Sequence, residues 1–272
     1  MSNDVVENRI KLKPYYFAYM DILGAKKYIE SEESEKYLNI IQRVYAETIG
    51  LVKSNSQDFY MPKPKLKIFS DNIVLAIPKI EYFRESTNDI SSCNIIIFAA
   101  FFQIIALKYS LLVRGGITVD NLYIDEDFVY GKALTQAYKL ESEVANYPRI
   151  VINPKDIHLF MKSDFQQSIL LKDSANIYYI DPFEHYFGYI HESVKNEELN
   201  ILKDILQNKL KVDKDDKINQ KICWFINMFN DFCKRNNYNN YVINLCNYPY
   251  PEQKEKVKIA GDWLAIYDIR NK

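Results

Sequence analysis

The chain has 272 residues, is 48% hydrophobic and carries a formal net charge of −1. Its length and apolar content suffice for one large domain or for a domain with a sizeable appendage. The balance of 35 Lys and Arg against 36 Asp and Glu excludes the global positive field with which a protein attracts nucleic acid or an anionic membrane.

The cysteines and the first residues bear on the cellular compartment. The four cysteines have no paired close spacing, which predicts buried thiols in a reducing compartment rather than a disulfide framework or a zinc site. The start MSNDVVENRIKLK is polar and lacks the apolar segment of a signal peptide. We therefore expect a cytoplasmic protein.

In chain order, the first part of the sequence predicts alternating strands and helices. Residues 14–20 form a predicted strand, and residues 29–52 carry apolar side chains at helical spacing. KLKIF (65–69) and NIVLAI (72–77) are two short strands joined by a tight turn. The most apolar run, 95–113, contains polar residues, so we expect a helix in the core of the protein rather than a membrane span.

The next elements complete a predicted sheet. LLVRGGITV (111–119) is a strand with a glycine pair, and NLYIDEDFVYG (121–131) is a hairpin. KALTQAYKLESEVA (132–145) has one apolar face at helical spacing, and RIVINP (149–154) is a short strand that a proline ends. Because antiparallel hairpins are mixed with helices, the order predicts an α+β domain, a mixed sheet with helices on one face.

The pattern of predicted elements changes from about residue 176. NIYYIDPFEHYFGYI (176–190) suggests strands or a loop, and two amphipathic helices follow, in EELNILKDILQNKL and INQKICWFINMFNDFCKR. We predict a first domain of residues 1–170 and a helical C-terminal extension of residues 171–272. The extension is expected to pack on the first domain, because its helices have apolar stripes to bury.

Two carboxylates stand out at the ends of predicted strands. Asp21 ends an aromatic strand, and Asp71 lies at the tip of the apolar hairpin. Each has a structural interpretation, since Asp commonly caps a helix or forms a turn. Together on neighbouring strands they would form a site for Mg²⁺ or Mn²⁺, which favour carboxylate oxygens. Arg114 ends another apolar strand and could grip a phosphate, or could be a surface residue at a bulge.

Four strings in the right order carry a family resemblance. FAYMDILGAKKY, KIFSDNIVLAI, LLVRGGITVDNLY and VYGKALTQAYKLESEVANYPRIVI together resemble class III nucleotidyl cyclase domains over roughly residues 14–155. The residues of these motifs are most similar to those of the bacterial pyrimidine cyclases of the Pycsar anti-phage systems, which make cyclic UMP or cyclic CMP. The resemblance implies a cyclase-like α+β fold with a ferredoxin-like βαββαβ core.

The resemblance also implies roles for individual residues. Asp21 and Asp71 would hold two divalent ions, Mn²⁺ or Mg²⁺, with the carbonyl of Ile22. The amides of Leu23 and Gly24 would face the triphosphate, which Arg114 would contact. Enzymes of this class act as homodimers with active sites at the interface. Two further positions correspond to the Asn and Arg that stabilise the transition state in the family, and here they hold Thr135 and Lys139.

Two positions bear on the choice of base. Adenylyl cyclases use a Lys together with an acidic or hydroxyl partner, and these places hold Lys67 and Phe128 here. A phenylalanine cannot supply a hydrogen bond to an adenine edge. The pattern therefore favours a pyrimidine substrate, and we take UTP as the expected one.

Several functions stay open from the sequence. Beside a uridylate cyclase, a cytidylate cyclase, an adenylyl or guanylyl cyclase and a catalytically inactive cyclase-like module are all compatible with these residues. A two-metal nucleotidyltransferase of the polymerase kind has the same α+β architecture. The sequence has no long run of clustered Lys and Arg, however, which disfavours a nucleic-acid partner. An active cyclase without a membrane span or a nuclease motif would act through a separately encoded effector.

Overall fold

The computed structural model describes residues 11–55, 63–79, 90–212 and 216–245. Within these ranges the strands are β1 (Lys13–Ile22), β2 (Lys65–Phe69), β3 (Asn72–Pro78), β4 (Val113–Ile124), β5 (Val129–Gly131), β6 (Ile150–Ile152), β7 (Leu170–Lys172) and β8 (Tyr178–Ile180). The helices are α1 (Ala25–Ile29), α2 (Ser34–Asn55), α3 (Ile90–Lys108), α4 (Lys132–Lys139), α5 (Asp164–Ser168), α6 (Pro182–Tyr189), α7 (Glu192–Val212) and α8 (Asp216–Arg235).

The strands form a single mixed sheet. Its order is β2-β3-β1-β4-β6-β8-β7, and β5 pairs with the outer part of β4. The first four strands are antiparallel in the order β2-β3-β1-β4, and helices connect β1 to β2 and β3 to β4. This is the ferredoxin-like βαββαβ arrangement, and the parallel pair β4–β6 makes the sheet mixed. The α+β prediction is confirmed.

Both faces of the sheet are covered by helices. Along β1, Tyr16, Ala18 and Met20 pack with α2 and α3 on one side, which we call the α3 face. Tyr15 and Tyr19 point to the other side, the α4 face, where α4 packs. The two long helices thus share one face as predicted, while α4 lies opposite. The reason is that β1 is apolar at consecutive positions, so each face needs its own cover.

Helix α3 is shared between two parts of the core. One side packs against the sheet and α2, and the other side packs against α6, α7 and α8. Among the described residues it is the one helix long and apolar enough to cross a membrane, but most of it is buried inside the protein. Its amide side chain, Gln103, donates to the carbonyl of Val113 at 3.3 Å. The helix is therefore a core element, as its sequence predicts.

The segment after β6 differs in part from its prediction. Only residues 178–180 of the stretch 176–190 form a strand, and residues 182–189 form α6. Asp181 caps this helix by accepting hydrogen bonds from the amides of Phe183 and Glu184, and it also pairs with Arg235 of α8. The many aromatic residues obscured the cap-and-proline signal of a helix start.

The C-terminal region joins the sheet and the core. Helices α7 and α8 confirm the two predicted amphipathic helices, and strands β7 and β8 extend the sheet beyond residue 170. The division of the chain at residue 170 stays a prediction. Residues 246–272 of the predicted extension lie outside the described residues.

Gly116 allows α4 to approach β4 closely. A Cβ atom placed on Gly116 would lie 2.4 Å from the Cβ of Leu140 and 2.6 Å from the carbonyl oxygen of Ala137. Both contacts belong to the segment that runs from α4 into the next turn. This segment therefore rests directly on the backbone of β4.

We predict that Gly116→Ala lowers the free energy of unfolding by about 2–3 kcal/mol, because the added methyl group overpacks this contact. Gly50→Ala is the matched control, since a Cβ atom on this residue of α2 meets nothing within 4 Å. Alanine is favoured over glycine inside a helix by about 1 kcal/mol, so the control should gain stability. Urea unfolding followed by circular dichroism measures both changes, and equal effects would contradict the close packing.

Candidate active site

The two predicted carboxylates lie side by side. Strand β1 pairs with β3 so that Asp21 lies opposite Asn72, the residue after Asp71. The amide of Ile22 donates to the carbonyl of Asp71 at 3.2 Å, which holds the hairpin turn against the end of β1. The two side chains are also electrostatic neighbours, since the charge of Asp71 raises the pKa of Asp21. Two residues that are 50 positions apart in the sequence thus form a carboxyl pair.

Arg114 lies on the other side of Asp21. Strand β4 pairs with β1 so that Arg114 is directly opposite Asp21, and its Nε and Nη2 atoms lie 3.4 and 3.5 Å from Asp21 Oδ2. A second carboxylate contacts the guanidinium group, since Glu141 Oε1 lies 2.6 Å from Arg114 Nη2. The side chain of Glu141 is almost completely buried, so Arg114 is its charge partner inside the protein.

The surroundings of Asp21 favour its protonated form. Burial and then the negative charge of Glu141 raise the pKa of Asp21; Arg114 lowers it, Asp71 raises it further, and the result is about 7. Burial also raises the pKa of Glu141. Asp21 and Glu141 share one arginine, and the charge of Asp71 acts on both carboxyl groups, so the site is short of positive charge. At neutral pH a proton supplies part of that charge.

The donor set suits a divalent cation. Asp21 and Asp71 offer carboxylate oxygens, which Mg²⁺ and Mn²⁺ prefer, and a cation would replace the proton that the raised pKa of Asp21 favours. Among the described residues, no group of three or more His, Cys, Asp or Glu side chains is placed to hold a metal ion. A cation here would take its remaining ligands from backbone, water or phosphate, as is common for Mg²⁺.

The residues after Asp21 form a tight turn into α1. Gly24 has φ 79°, a left-handed conformation that favours glycine. The amide of Leu23 already donates to the carbonyl of Leu112 at 2.8 Å, so a contact with phosphate would require that bond to open. The assignments of Ile22, Leu23 and Gly24 stay predictions.

Lys67 and Phe128 meet at the β4–β5 hairpin. Lys67 pairs with Val74, which pairs with Tyr19, so its side chain emerges on the α4 face. The charge of Lys67 helps to lower the pKa of Asp125 in the hairpin. The carboxylate of Asp125 accepts a hydrogen bond from the amide of Phe128 at 2.7 Å. Phe128 is 55% exposed. In the described part of the chain, neither Lys67 nor Phe128 forms a hydrogen bond or an ion pair with Asp21 or Asp71.

Thr135 and Lys139 lie on the exposed side of α4. Both lie on α4, whose Ala133 and Ala137 are buried against the sheet, and both side chains are exposed. The hydroxyl of Thr135 donates to the carbonyl of Lys132 at 3.0 Å. Within the described residues, neither forms a hydrogen bond or an ion pair with Asp21 or Asp71, and their roles stay predictions. The two residues belong to an open surface that also includes exposed aromatic rings.

Glu141 was missed at the sequence level although a signal was present. It follows Ala137 by four residues and so falls on the apolar face of the predicted helix. A carboxylate on such a face requires a buried partner. What the pattern did not indicate is that α4 passes into a π-helical turn at Leu140–Val144, closed by a bond from the amide of Ala145 to the carbonyl of Leu140. This turn carries Glu141 to Arg114.

Comparisons with known proteins give distant similarities. No protein-family model and no curated protein matches the chain. Among solved structures, the catalytic core of a rhodopsin-guanylyl cyclase with converted specificity, in complex with ATPαS, is similar with a TM-score of 0.44 and 13% identity. That similarity covers 62% of this chain and 95% of the other.

A class III adenylyl cyclase-like ATP-binding protein from Pseudomonas aeruginosa is also similar, with a TM-score of 0.46 and 12% identity. The similarity covers 66% of this chain but only 41% of that protein. Similarities at this level assign neither a family nor an activity to the chain. We therefore base its function on the residues of the site.

We predict that Asp21 makes the protein less stable as the pH rises. Its pKa is about 7 in the folded protein against an ordinary value of 3.8, so the folded state prefers the proton. The free energy of unfolding should therefore fall between about pH 4 and pH 7 and stay low above it. In EDTA at pH 8, Asp21→Asn should stabilise the protein by on the order of 2–3 kcal/mol.

Asp120→Asn is the control of opposite sign. Burial opposes ionisation of Asp120, but the amide of Asn121 and the ammonium group of Lys155 lower its pKa overall. This variant should lose stability at pH 8. Chemical unfolding at pH 5 and pH 8 measures both variants, and an Asp21→Asn protein no more stable than the wild type at pH 8 would contradict the account of the site.

Proposed function

We propose that this protein is a metal-dependent nucleotide cyclase that converts UTP to 3′,5′-cyclic UMP and pyrophosphate. The observation that carries the proposal is the carboxyl pair of Asp21, at the end of β1, and Asp71, in the adjoining turn between β2 and β3, with Arg114 beside Asp21. These residues follow one another in the chain as the cyclase motifs do. The pairing of β1 with both β3 and β4 supports the same grouping.

The residues of the site have separate tasks in this reaction. Asp21 and Asp71 would hold two divalent ions, Mn²⁺ or Mg²⁺, with the carbonyl of Ile22. When bound, such ions lower the pKa of the ribose 3′-hydroxyl and neutralise the triphosphate. Arg114 would offer its guanidinium group to the phosphates, and Glu141 holds that group in place.

The chemical step is an in-line displacement. The ribose 3′-oxygen attacks the α-phosphorus, and the bond from this phosphorus to the bridging oxygen breaks. Pyrophosphate leaves, and the hydroxyl proton passes to solvent. Arg114 and Lys139 would offset the negative charge that grows on the phosphates.

The base-recognition positions support a pyrimidine. Phe128 offers an exposed ring but no hydrogen-bonding group, which disfavours recognition of an adenine edge. UTP is our choice because of the sequence resemblance, and a cyclase acting on CTP makes the same demands on this site. A purine substrate is the second candidate. It is favoured by the electrostatic interaction of Lys67 with Asp125, a basic and an acidic group on the α4 face.

A second copy of the chain would complete the site. Thr135 and Lys139 are exposed on α4 beside Tyr138, which is 52% exposed and packs edge-on against Tyr19 at 5.5 Å. Phe69 lies on the other side of Tyr19 and is 47% exposed. Clustered exposed rings of this kind mark interaction surfaces. We infer a homodimer in which α4 of each subunit reaches the carboxyl pair of the other.

The biological role that follows is signal production in the cytoplasm. A cyclic pyrimidine nucleotide would serve as a second messenger in anti-phage defence and would activate a separately encoded effector. The sequence resemblance to the Pycsar cyclases supports this role. Nucleic acid is not an expected partner, because the charge of the chain is near neutral.

We predict that the purified protein, given ATP, GTP, CTP and UTP with Mn²⁺, forms cyclic UMP as its main product. Asp71→Ala should lower the rate at least about a hundredfold, because it removes half of the carboxyl pair. Asp204→Ala, an exposed carboxylate on α7, is the matched control and should keep the wild-type rate. Chromatography with mass detection identifies the product. A cyclic purine would overturn the choice of substrate, and a wild-type rate for Asp71→Ala would overturn the site.

The proposed dimer gives a second prediction. When Asp71→Ala and Lys139→Ala chains, each of low activity, are co-expressed, the mixed dimer should hold one intact site. Statistical mixing then restores about a quarter of the wild-type activity. Asp21→Ala co-expressed with Asp71→Ala is the control, since both changes damage the same half of each site and no activity should return. Absence of restoration in the first mixture would contradict a shared site.

A further inference from the structure

A buried hydroxyl group near the carboxyl pair has no hydrogen-bond partner among the residues that the structure describes. Tyr37 of α2 is 4% exposed, and its hydroxyl group forms no hydrogen bond with any of them. Buried polar groups are nearly always paired, because an unpaired one loses its bonds to water without replacement. An unpaired donor on which the charges of Asp71 and Asp21 act therefore points to a ligand that the free protein lacks.

The ring of Tyr37 is held close to the turn that follows Asp21. It stacks on Tyr28 of α1 with ring centroids 4.9 Å apart and an angle of 13° between the planes. Helix α1 begins directly after Gly24. On the same helix as Tyr37, the hydroxyl of Tyr45 donates to the carbonyl of Ser70 at 3.3 Å. Helix α2 thus contacts α1, which follows Asp21 in the chain, and the turn that carries Asp71.

The charge around the hydroxyl keeps it a donor. Burial raises the pKa of Tyr37 well above its usual range, and the negative charges of Asp71 and Asp21 raise it further. The hydroxyl group therefore stays protonated at any physiological pH. It can donate to an anionic oxygen that enters the site, and a carboxyl pair neutralised by cations would admit such an oxygen.

We propose that the Tyr37 hydroxyl donates a hydrogen bond to a phosphate oxygen of the bound nucleoside triphosphate. This inference rests on the proposed function and adds a substrate-binding residue to it. A phosphate oxygen is the fitting partner because it only accepts hydrogen bonds when ionised, as the protonated tyrosine requires. The neighbouring Tyr45 does not share this role, since its hydroxyl already has a partner.

The test separates ligand binding from the stability of the free protein. Tyr37→Phe removes only the hydroxyl, so the midpoint of unfolding without ligand should stay unchanged or rise. Calorimetry with Mn²⁺ and α,β-methylene-UTP, which cannot be cyclised, should show a dissociation constant about tenfold weaker than that of the wild type. Inorganic tripolyphosphate should show the same loss, because the contact is to phosphate.

Tyr45→Phe is the matched control. It removes a hydroxyl that is already bonded in the free protein, so it should lower the unfolding midpoint and leave the dissociation constants within about twofold of the wild type. Loss of stability in Tyr37→Phe as large as in this control would show that the Tyr37 hydroxyl is paired without ligand, and would overturn the inference.

The remaining outcomes separate the role of Tyr37 from the proposed function. If the wild type binds both ligands and Tyr37→Phe binds them equally well, the inference is wrong while the proposed function stands. A loss confined to the nucleotide analogue, with tripolyphosphate unaffected, would also overturn the phosphate contact. If the wild type binds neither ligand, the proposed function fails and the inference fails with it.

Discussion

The register of β1 between β3 and β4 is the constraint on which the site depends. Because β1 is paired along its length on both sides, Asp21 is held in one row with Asn72 and Arg114. A shift of either neighbour by one residue would turn Arg114 or the hairpin tip to the other face of the sheet. The apolar residues of β1, buried on both faces, make such a shift costly. The core therefore fixes the geometry of the charges at its edge.

The acidic groups at that edge outnumber the basic ones. Asp21 and Glu141 both contact one arginine, and burial together with the charges of Glu141 and Asp71 raises the pKa of Asp21 to about 7. A site arranged in this way costs stability in the free protein, since like charges are held together in a poorly solvated place. The same arrangement favours the binding of cations, and through them of phosphates. The residues that lower the stability of the free protein are therefore the same ones that favour cation binding.

The C-terminal helices contribute to the site indirectly. Arg149, which is buried, pairs with Asp173 at 2.6 Å and donates to the carbonyl of Val144, the last residue of the π-helical turn. Its guanidinium group also lies over the rings of Tyr179 and Trp224, the latter on α8. Helix α8 is therefore connected through Arg149 to the turn that carries Glu141. This gives the extension a physical role beyond covering apolar surface.

Within the described parts of the first 155 residues, the sequence by itself determined the order of the main strands and long helices, and it showed the likeness of their motifs to nucleotide cyclases. Local periodicity and turn residues suffice for this, because they depend on neighbours in the chain. Tertiary structure alone decided that α4 covers the face opposite α2 and α3, that α6 is a helix, and that Glu141 is the partner of Arg114. It also decided that the Tyr37 hydroxyl is left unpaired and that Thr135 and Lys139 face outward. These facts depend on which distant side chains meet, and contacts between remote segments are set by packing rather than by spacing along the chain.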